Sequence, residues 1–147
     1  MSVWARRQLV GIDPTTARVV RRFDLPGAQG NHGLLIDSRD RLTFIACEGN
    51  DKLIVFDMRG HRVAQSFDIG SDPDVLAFGP AKGTVYVAGE AGIVSMFSAK
   101  GTNFTRVGEG RLGPNAHVVA VDAVMHRSYF PLKNVNGQPV LRVAEPK

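Results

Sequence analysis

The sequence predicts an all-β fold in which a four-stranded antiparallel unit repeats every 41 to 44 residues. Three observations support this prediction. Segments far apart in the chain match one another, short apolar runs alternate with turn-forming residues, and no stretch keeps a helical period between caps. Because 44% of the 147 residues are hydrophobic and 22% are charged, the chain can also form a packed core.

The repeat is clearest at a shift of 44 residues, where six positions are identical without a gap. The matched segments are Leu9–Asp13 with Leu53–Asp57, Arg18–Val19 with Arg62–Val63, and Phe23–Leu25 with Phe67–Ile69. A second set, at shifts of 42 and 43, comprises His32–Asp37, Asp74–Gly79 and His117–Asp122. Chance does not readily produce matches at so many positions with one period, so we interpret the chain as a repeat protein.

Each unit contains four short β-patterned runs separated by turn chemistry. With residues 31–70 as the template, the predicted strands are Gly33–Asp37, Arg41–Cys47, Lys52–Asp57 and Arg62–Ile69. Four strands in about 42 residues are typical of a β-propeller blade, whereas an immunoglobulin-like sandwich would not repeat in sequence. The first strand of each unit is apolar and small, as expected of an innermost strand, and the fourth alternates like an outer strand.

The repeat units resemble those of a known family, the bacterial propellers with 40-residue YVTN-type repeats (the YncE-like group). The resemblance rests on Asn31–Asp37, Arg41–Asp57 and Asp13–Val20, and it extends over nearly the whole chain. Where the family has Tyr-Val-Thr-Asn, this chain reads Phe44-Ile45-Ala46-Cys47 and Tyr86-Val87-Ala88-Gly89. The resemblance implies a propeller that closes with about seven blades, and full-length relatives that are periplasmic or secreted.

We predict a single partial propeller domain at 1–147, with a half blade at 1–30, blades at 31–70 and 71–113, and an incomplete blade at 114–147. An unclosed ring leaves strand edges and apolar blade flanks in water. We therefore expect the chain to associate with itself or to receive the missing blades from a longer polypeptide. No apolar run reaches the roughly 18 to 20 residues of a membrane helix, and the N-terminus lacks the apolar segment of a secretory signal.

One column of the repeat carries the candidate site residues. His32, Asp74 and His117 each immediately precede a predicted first strand, so they are expected at one mouth of the central channel, where propellers usually bind ligands. Glu48 and Glu90 end second strands and are expected to reach the same face. Such residues can hold a divalent metal, with His32 and His117 as candidate ligands, or act as acid and base. Alternatively, the column residues bond a neighbouring blade's backbone and the glutamates are solvated turn residues.

Other notable residues have structural interpretations. The recurring aspartates at strand ends are expected to accept hydrogen bonds from turn amides; they are Asp13, Asp37, Asp57 and Asp122. His61 and His126 are expected in exposed hairpin turns, Trp4 packed within its half blade, and Cys47 as a buried thiol within an apolar strand.

These observations favour a ligand- or protein-binding scaffold module over an enzyme, because the repeat is well kept while no reactive constellation is clear. The glycine-rich nucleotide loop, the Walker loop, the paired-cysteine motif, the zincin motif and the nucleophile elbow are all absent from the sequence. The alternative is a metal-assisted enzyme similar to propeller lactonases or lyases, a likeness of fold alone. Apart from a divalent metal, no cofactor is indicated.

The net charge of +4 raises weak nucleic-acid binding as a further alternative. It would use the arginine doublets Arg6-Arg7 and Arg21-Arg22. The other arginines are scattered beside turns and neither doublet has an interleaved aromatic residue, so the sequence argues against this alternative.

Overall fold

Runs of apolar and β-branched residues, broken by Gly, Pro, Asn and Asp, fold into antiparallel strands and confirm the all-β prediction. The computed structural model of the chain describes residues 1–100 and 103–145. In these residues the strands form four antiparallel sheets, and helix is limited to two 3₁₀ turns, Trp4–Arg6 and Glu48–Asn50. Among these residues, no helix is long and apolar enough to span a membrane.

The chain divides into two compact units, and the first is Met1–Asp68. It contains a three-stranded sheet in the order β1-β2-β3 and a four-stranded sheet in the order β4-β5-β6-β7. The strands of the first sheet are β1 (Ser2–Val3), β2 (Gln8–Ile12) and β3 (Val19–Asp24). Those of the second sheet are β4 (Asn31–Asp37), β5 (Leu42–Cys47), β6 (Lys52–Asp57) and β7 (Arg62–Asp68).

The second unit is Ile69–Lys147. It contains a four-stranded sheet, in which each strand pairs with the next along the chain, and a three-stranded sheet of the same kind. The four strands are β8 (Pro73–Gly79), β9 (Thr84–Gly89), β10 (Ile93–Lys100) and β11 (Asn103–Arg111). The three strands are β12 (Ala120–Val121), β13 (Ser128–Val135) and β14 (Gln138–Ala144). The blade boundaries inferred from the sequence stay a prediction.

Four strands differ in their bounds from the sequence prediction. β4 begins at Asn31 and not at Gly33, and β7 ends at Asp68 and not at Ile69. β5 begins at Leu42 and not at Arg41, because Arg41 has a left-handed φ of 60° that a strand residue does not adopt. β12 has two residues, Ala120–Val121, whereas we expected the first strand of this blade to include Val118–Val121. The neighbouring strand β13 contains Pro131, which has no backbone N–H to donate to a ladder.

The central strands form the buried layer of each unit. All six residues of β5 are buried, and so are the four inner residues of β6, whereas β7 is exposed apart from two half-buried positions. One hydrophobic cluster in the core of the first unit comprises Leu9, Leu25, Ala28, Ile45, Cys47, Ile54 and Phe56. One cluster in the core of the second unit comprises Ala88, Val94, Ala116, Val119, Phe130 and Leu132. Each large apolar side chain buried in this way contributes about 1.5–3 kcal/mol, so these cores hold the sheets in place.

Candidate functional site

The candidate residues lie at the end of the sheets where first strands begin and second strands end, and we call this end the edge. In both four-stranded sheets, the pairing of the first strand with the second is interrupted by a β-bulge. The register shifts between Asn31 and Leu34 in one sheet and between Pro73 and Val75 in the other. His32 and Asp74 lie within these bulges. Because a bulge changes the direction of the side chains at the interruption, both residues depart from the regular alternation of the ladder.

A second repeated contact fixes the glutamates at this edge. The backbone N–H of Glu48 donates to the carbonyl oxygen of Gly30 at 3.0 Å, and that of Glu90 donates to the carbonyl oxygen of Asp72 at 2.8 Å. Gly30 and Asp72 both have left-handed backbone, with φ of 58° and 52°, and Asn115 repeats this conformation at 57°. Glycine, aspartate and asparagine tolerate this conformation better than other residues, so the local sequence favours the turn.

In the first unit, this geometry brings His32 and Glu48 together. The Nδ1 atom of His32 lies 3.9 Å from Oε2 of Glu48, and the two side chains are 56% and 50% exposed. At that distance the two atoms form no direct hydrogen bond, although they form an ion pair if the imidazole is protonated. Both side chains are therefore accessible to solvent.

In the second unit, the same edge brings together Asp74, Glu90 and His117. One ligand atom of each residue lies within 4.8 Å of the others. The Nδ1 atom of His117 is 3.9 Å from Oε1 of Glu90, which repeats the His32–Glu48 spacing. That Nδ1 atom is buried and has no hydrogen-bond partner among the described residues. Glu90 is exposed, and Asp74 and His117 are half-buried, so an ion or a small molecule can reach the group.

The structure groups the predicted column differently from the sequence. Asp74 and His117 converge in the second unit and are joined there by Glu90, which the sequence placed at this face without indicating that it meets them. His32 and Glu48 form their pair in the first unit. Joint coordination of one ion by His32 and His117 stays a prediction. The signal for Glu90 was in the sequence, because it occupies the column of Glu48 at a shift of 42.

The turn aspartates behave as predicted. Carboxylate oxygens accept hydrogen bonds from backbone N–H groups two residues later, as Asp13 does from Thr15 and Asp122 does from Val124. Asp37 and Asp57 make the same bond. Turn amides hold the pKa of Asp13, Asp57 and Asp122 below the ordinary value, because they stabilise the charged carboxylate; at Asp122 the amide of Met125 contributes most. These four residues therefore build turns.

Of the predictions for the remaining residues, three are confirmed and one is wrong. His61 and His126 are exposed in turns, and Cys47 is fully buried, as predicted. The prediction that Trp4 packs within its half blade is wrong, because Trp4 is 61% exposed. The 3₁₀ turn at Trp4–Arg6 corresponds to the turn that begins at Glu48, so Trp4 takes the glutamate position and projects from the edge. Arg6, Arg7, Arg21 and Arg22 are exposed, and nucleic-acid binding through them stays a prediction.

No protein-family model matches this chain, and no curated protein sequence does either. Solved structures do match. The chain is similar to hydrazine synthase of Kuenenia stuttgartiensis, with a TM-score of 0.80 and 12% identity over 95% of this chain and 40% of that one. It is similar to a putative 6-phosphogluconolactonase of Bacteroides fragilis, with a TM-score of 0.74 and 13% identity over 95% of this chain and 44% of that one.

The chain is also similar to Sqt1 of Saccharomyces cerevisiae, with a TM-score of 0.72 and 12% identity over 96% of this chain and 39% of that one. Identities this low establish the fold alone, and membership of the YncE-like group stays a prediction. These neighbours are β-propellers, and the chain spans less than half of the length of each. The chain therefore has the fold of part of a β-propeller.

Proposed function

We propose that the chain is a ligand-binding module of the β-propeller type, and that its ligand face is the edge where first strands begin and second strands end. The observation that carries the proposal is a repeated pair. A glutamate at the end of a second strand lies 3.9 Å from a histidine in each unit, as His32–Glu48 and as His117–Glu90. In a complete propeller this edge would face one mouth of the channel.

Stability does not account for these pairs. Ion pairs between exposed groups contribute about 0–1 kcal/mol, and Glu48 and Glu90 are both exposed. The bulges at His32 and Asp74 interrupt the ladder, which also costs pairing. An arrangement that interrupts the ladder and contributes little stability is better explained by a polar ligand, whose hydroxyl groups donate to the carboxylates and whose oxygen atoms accept from the imidazole N–H groups.

The similar protein of Bacteroides fragilis is named for 6-phosphogluconolactone, which makes sugar acids a reasonable first class of probe. We would titrate the ¹⁵N-labelled chain, in EDTA, with gluconate, 6-phosphogluconate, methyl glucoside and citrate. The proposal expects amide shifts around Asn31–Gly33, Glu48–Gly49 and Asp72–Asp74 with at least one probe. Because Trp4 is the single tryptophan and is exposed at this edge, its fluorescence provides a second readout.

The double variant His32→Ala/Glu48→Gln should abolish the shifts in the first unit. His61→Ala is the matched control, because His61 is an exposed histidine in the β6–β7 turn, at the opposite end of the same sheet from Glu48. If all four probes shift only amides near His61, or shift none, the proposed ligand face is wrong.

A metal-assisted enzyme is the second candidate, and the group Asp74, Glu90 and His117 is the observation that favours it. Three protein ligands on a metal leave a position open for water, which the metal makes more acidic. We would measure hydrolysis of gluconolactone with Zn²⁺ or Mn²⁺ by proton release. A metal-dependent rate that His117→Ala removes would support this candidate, and a rate equal to that of the buffer would reject it.

We also propose that the chain associates with a second copy of itself. Every residue of β14 is exposed, and it presents Val140, Leu141 and Val143 at 37%, 59% and 47% exposure. An exposed strand with apolar side chains at a sheet edge is a template for pairing with another strand. Light scattering should give a dimer that Leu141→Lys converts to monomer, whereas a monodisperse wild-type monomer would reject self-association.

A further inference from the structure

We propose that Asp74, Glu90 and His117 form a binding site for a divalent transition-metal cation, and that Zn²⁺ is an ion of the right class. This inference deepens the proposed function, because it puts the ion on the proposed ligand face. The three residues come from β8, from the end of β9 and from the segment before β12, so the site is built across both sheets of the second unit.

The distances suit a metal after a small closure. Ligands of a tetrahedral Zn²⁺ lie about 3.4 Å from one another, because each is about 2.0–2.2 Å from the ion. The His117 Nδ1 to Glu90 Oε1 distance is 3.9 Å, and all three ligand atoms lie within 4.8 Å of one another. Glu90 has a side chain that is 59% exposed, so its carboxylate can move inward without displacing the core.

The Nδ1 atom of His117 is an independent indication that this group binds a ligand. The atom is buried and makes no hydrogen bond in the part of the chain that the structure describes. A buried polar atom without a partner costs free energy, so structures rarely keep one without a reason. A metal ion bound at this nitrogen would satisfy it, which a neighbouring carboxylate at 3.9 Å does not.

The donor set indicates the class of ion. One imidazole with two carboxylates suits Zn²⁺ and its first-row neighbours, whereas Ca²⁺ and Mg²⁺ prefer ligands that are all oxygen. Two carboxylates this close to each other also repel unless a cation or a proton lies between them. A cation at the centre of the three ligand atoms removes this repulsion.

The backbone already holds each ligand in place. The N–H of Glu90 is bonded to the carbonyl oxygen of Asp72, and Asp74 lies in the bulge between Pro73 and Val75. His117 is anchored by two buried core residues, Ala116 and Val119, on either side of it. A site with a fixed backbone and accessible side chains can close around an ion at little cost in ordering.

The first unit offers a matched contrast. His32 and Glu48 repeat the 3.9 Å pair, but within residues 1–100 and 103–145 no metal-competent group of three includes either of them. Removing these two residues should therefore leave Zn²⁺ binding intact, whereas removing either partner of the second pair should not.

The test is calorimetric titration of the EDTA-stripped full chain with ZnCl₂. We expect one saturable submillimolar site, and a weakening of more than about tenfold in His117→Ala, Glu90→Gln and Asp74→Asn, since even an outer-shell partner of a metal costs that much. His32→Ala and Glu48→Gln should bind Zn²⁺ within about twofold of the wild type. Co²⁺ should give a visible absorption band in the wild type that His117→Ala lacks.

If His117→Ala does not fold, Glu90→Gln changes only one exposed side-chain group and still decides the outcome. Absence of saturable binding would overturn the proposal, and so would equal losses in the variants of the two units. Because the sugar-acid titrations are done in EDTA, loss of Zn²⁺ binding alone rejects the metal site and leaves the ligand face. Zn²⁺ binding without amide shifts from any of the four probes would support the metal site and reject the ligand face.

Discussion

The backbone N–H of Glu48 donates a hydrogen bond to the carbonyl oxygen of Gly30, and Gly30 holds that carbonyl in place with a left-handed φ of 58°. Gly30 also lies against Gly49, because a Cβ atom at Gly30 would come within 2.7 Å of the backbone nitrogen of Gly49. The edge that carries His32 and Glu48 therefore depends on two glycines that face each other.

Gly30→Ala should destabilise the chain by about 2–4 kcal/mol, which combines left-handed strain of about 1–2 kcal/mol with a backbone clash. Gly27→Ala is the matched control, because Gly27 also has a left-handed φ, of 84°, but a Cβ there meets nothing within 4 Å. The control should lose about 1–2 kcal/mol. Urea denaturation of both variants measures the difference, and equal losses would show that the Gly30–Gly49 contact does not constrain the edge.

Arg41→Gly should stabilise the chain by up to about 1 kcal/mol, the left-handed strain of Arg41 less the entropy that glycine adds to the unfolded state. Arg41 has φ of 60° and the equivalent Gly83 has φ of 61°, and both accept a backbone hydrogen bond through their carbonyl oxygens. The reciprocal variant Gly83→Ala should be less stable. Thermal unfolding checks both signs, and a lower melting temperature for Arg41→Gly would contradict the argument.

Cys47 should be inert towards thiol reagents in the native chain. It is fully buried, and burial raises the pKa of its thiol to about 11, so almost no thiolate is present at pH 8. A chromogenic disulfide reagent should report no reaction in buffer and one thiol per chain in urea, since the sequence contains a single cysteine. Rapid reaction of the folded chain would mean that β5 opens readily.

Asp57→Asn should destabilise the chain at neutral pH, and the loss of stability should be smaller in acid. The amide of Arg59 lowers the pKa of Asp57 below its ordinary value of 3.8, so the folded carboxylate holds its proton less tightly than the unfolded one. Its contribution is therefore present above the unfolded pKa and is lost as the pH falls through the folded pKa. Urea denaturation of the wild type and the variant at pH 7 and near pH 2.5 measures this pH dependence. A difference in urea midpoint that is the same at both pH values would contradict the prediction.

The strands could be predicted from the sequence because the repeat and the burial pattern agree. β6 has the predicted bounds, Lys52–Asp57, since its apolar run ends at turn residues on both sides. The failure at β12 has a different origin. Val118 and Val119 fit a strand pattern, but the pairing that would make them a strand depends on β13, where Pro131 removes a donor. The residue pattern of one segment does not show which backbone hydrogen-bond donors the neighbouring strand has.

The candidate site was only partly predictable. The period identified His32, Asp74 and His117 as one column, but not which glutamate each would meet. His32 meets Glu48 of its own repeat, whereas His117 meets Glu90 of the preceding one. Trp4 and Lys133 occupy the glutamate column in the other two repeats, but the period alone does not show whether the contact is made within a repeat or between repeats. The left-handed turn residues before the column share a signal in the sequence, because glycine, aspartate and asparagine all favour that backbone.

Thr43→Val should stabilise the chain by about 1 kcal/mol. Thr43 is 1% exposed in β5, and its Oγ1 has no hydrogen-bond partner among the described residues, beside a cavity of about 440 Å³ in the first unit. Valine keeps the shape and the β-branching while removing a buried hydroxyl that makes no bond. Thr43→Ser keeps the hydroxyl and loses the methyl, so it should be less stable than wild type. Urea denaturation should rank valine above threonine above serine, and a destabilised valine variant would mean that the hydroxyl bonds a water molecule in the cavity.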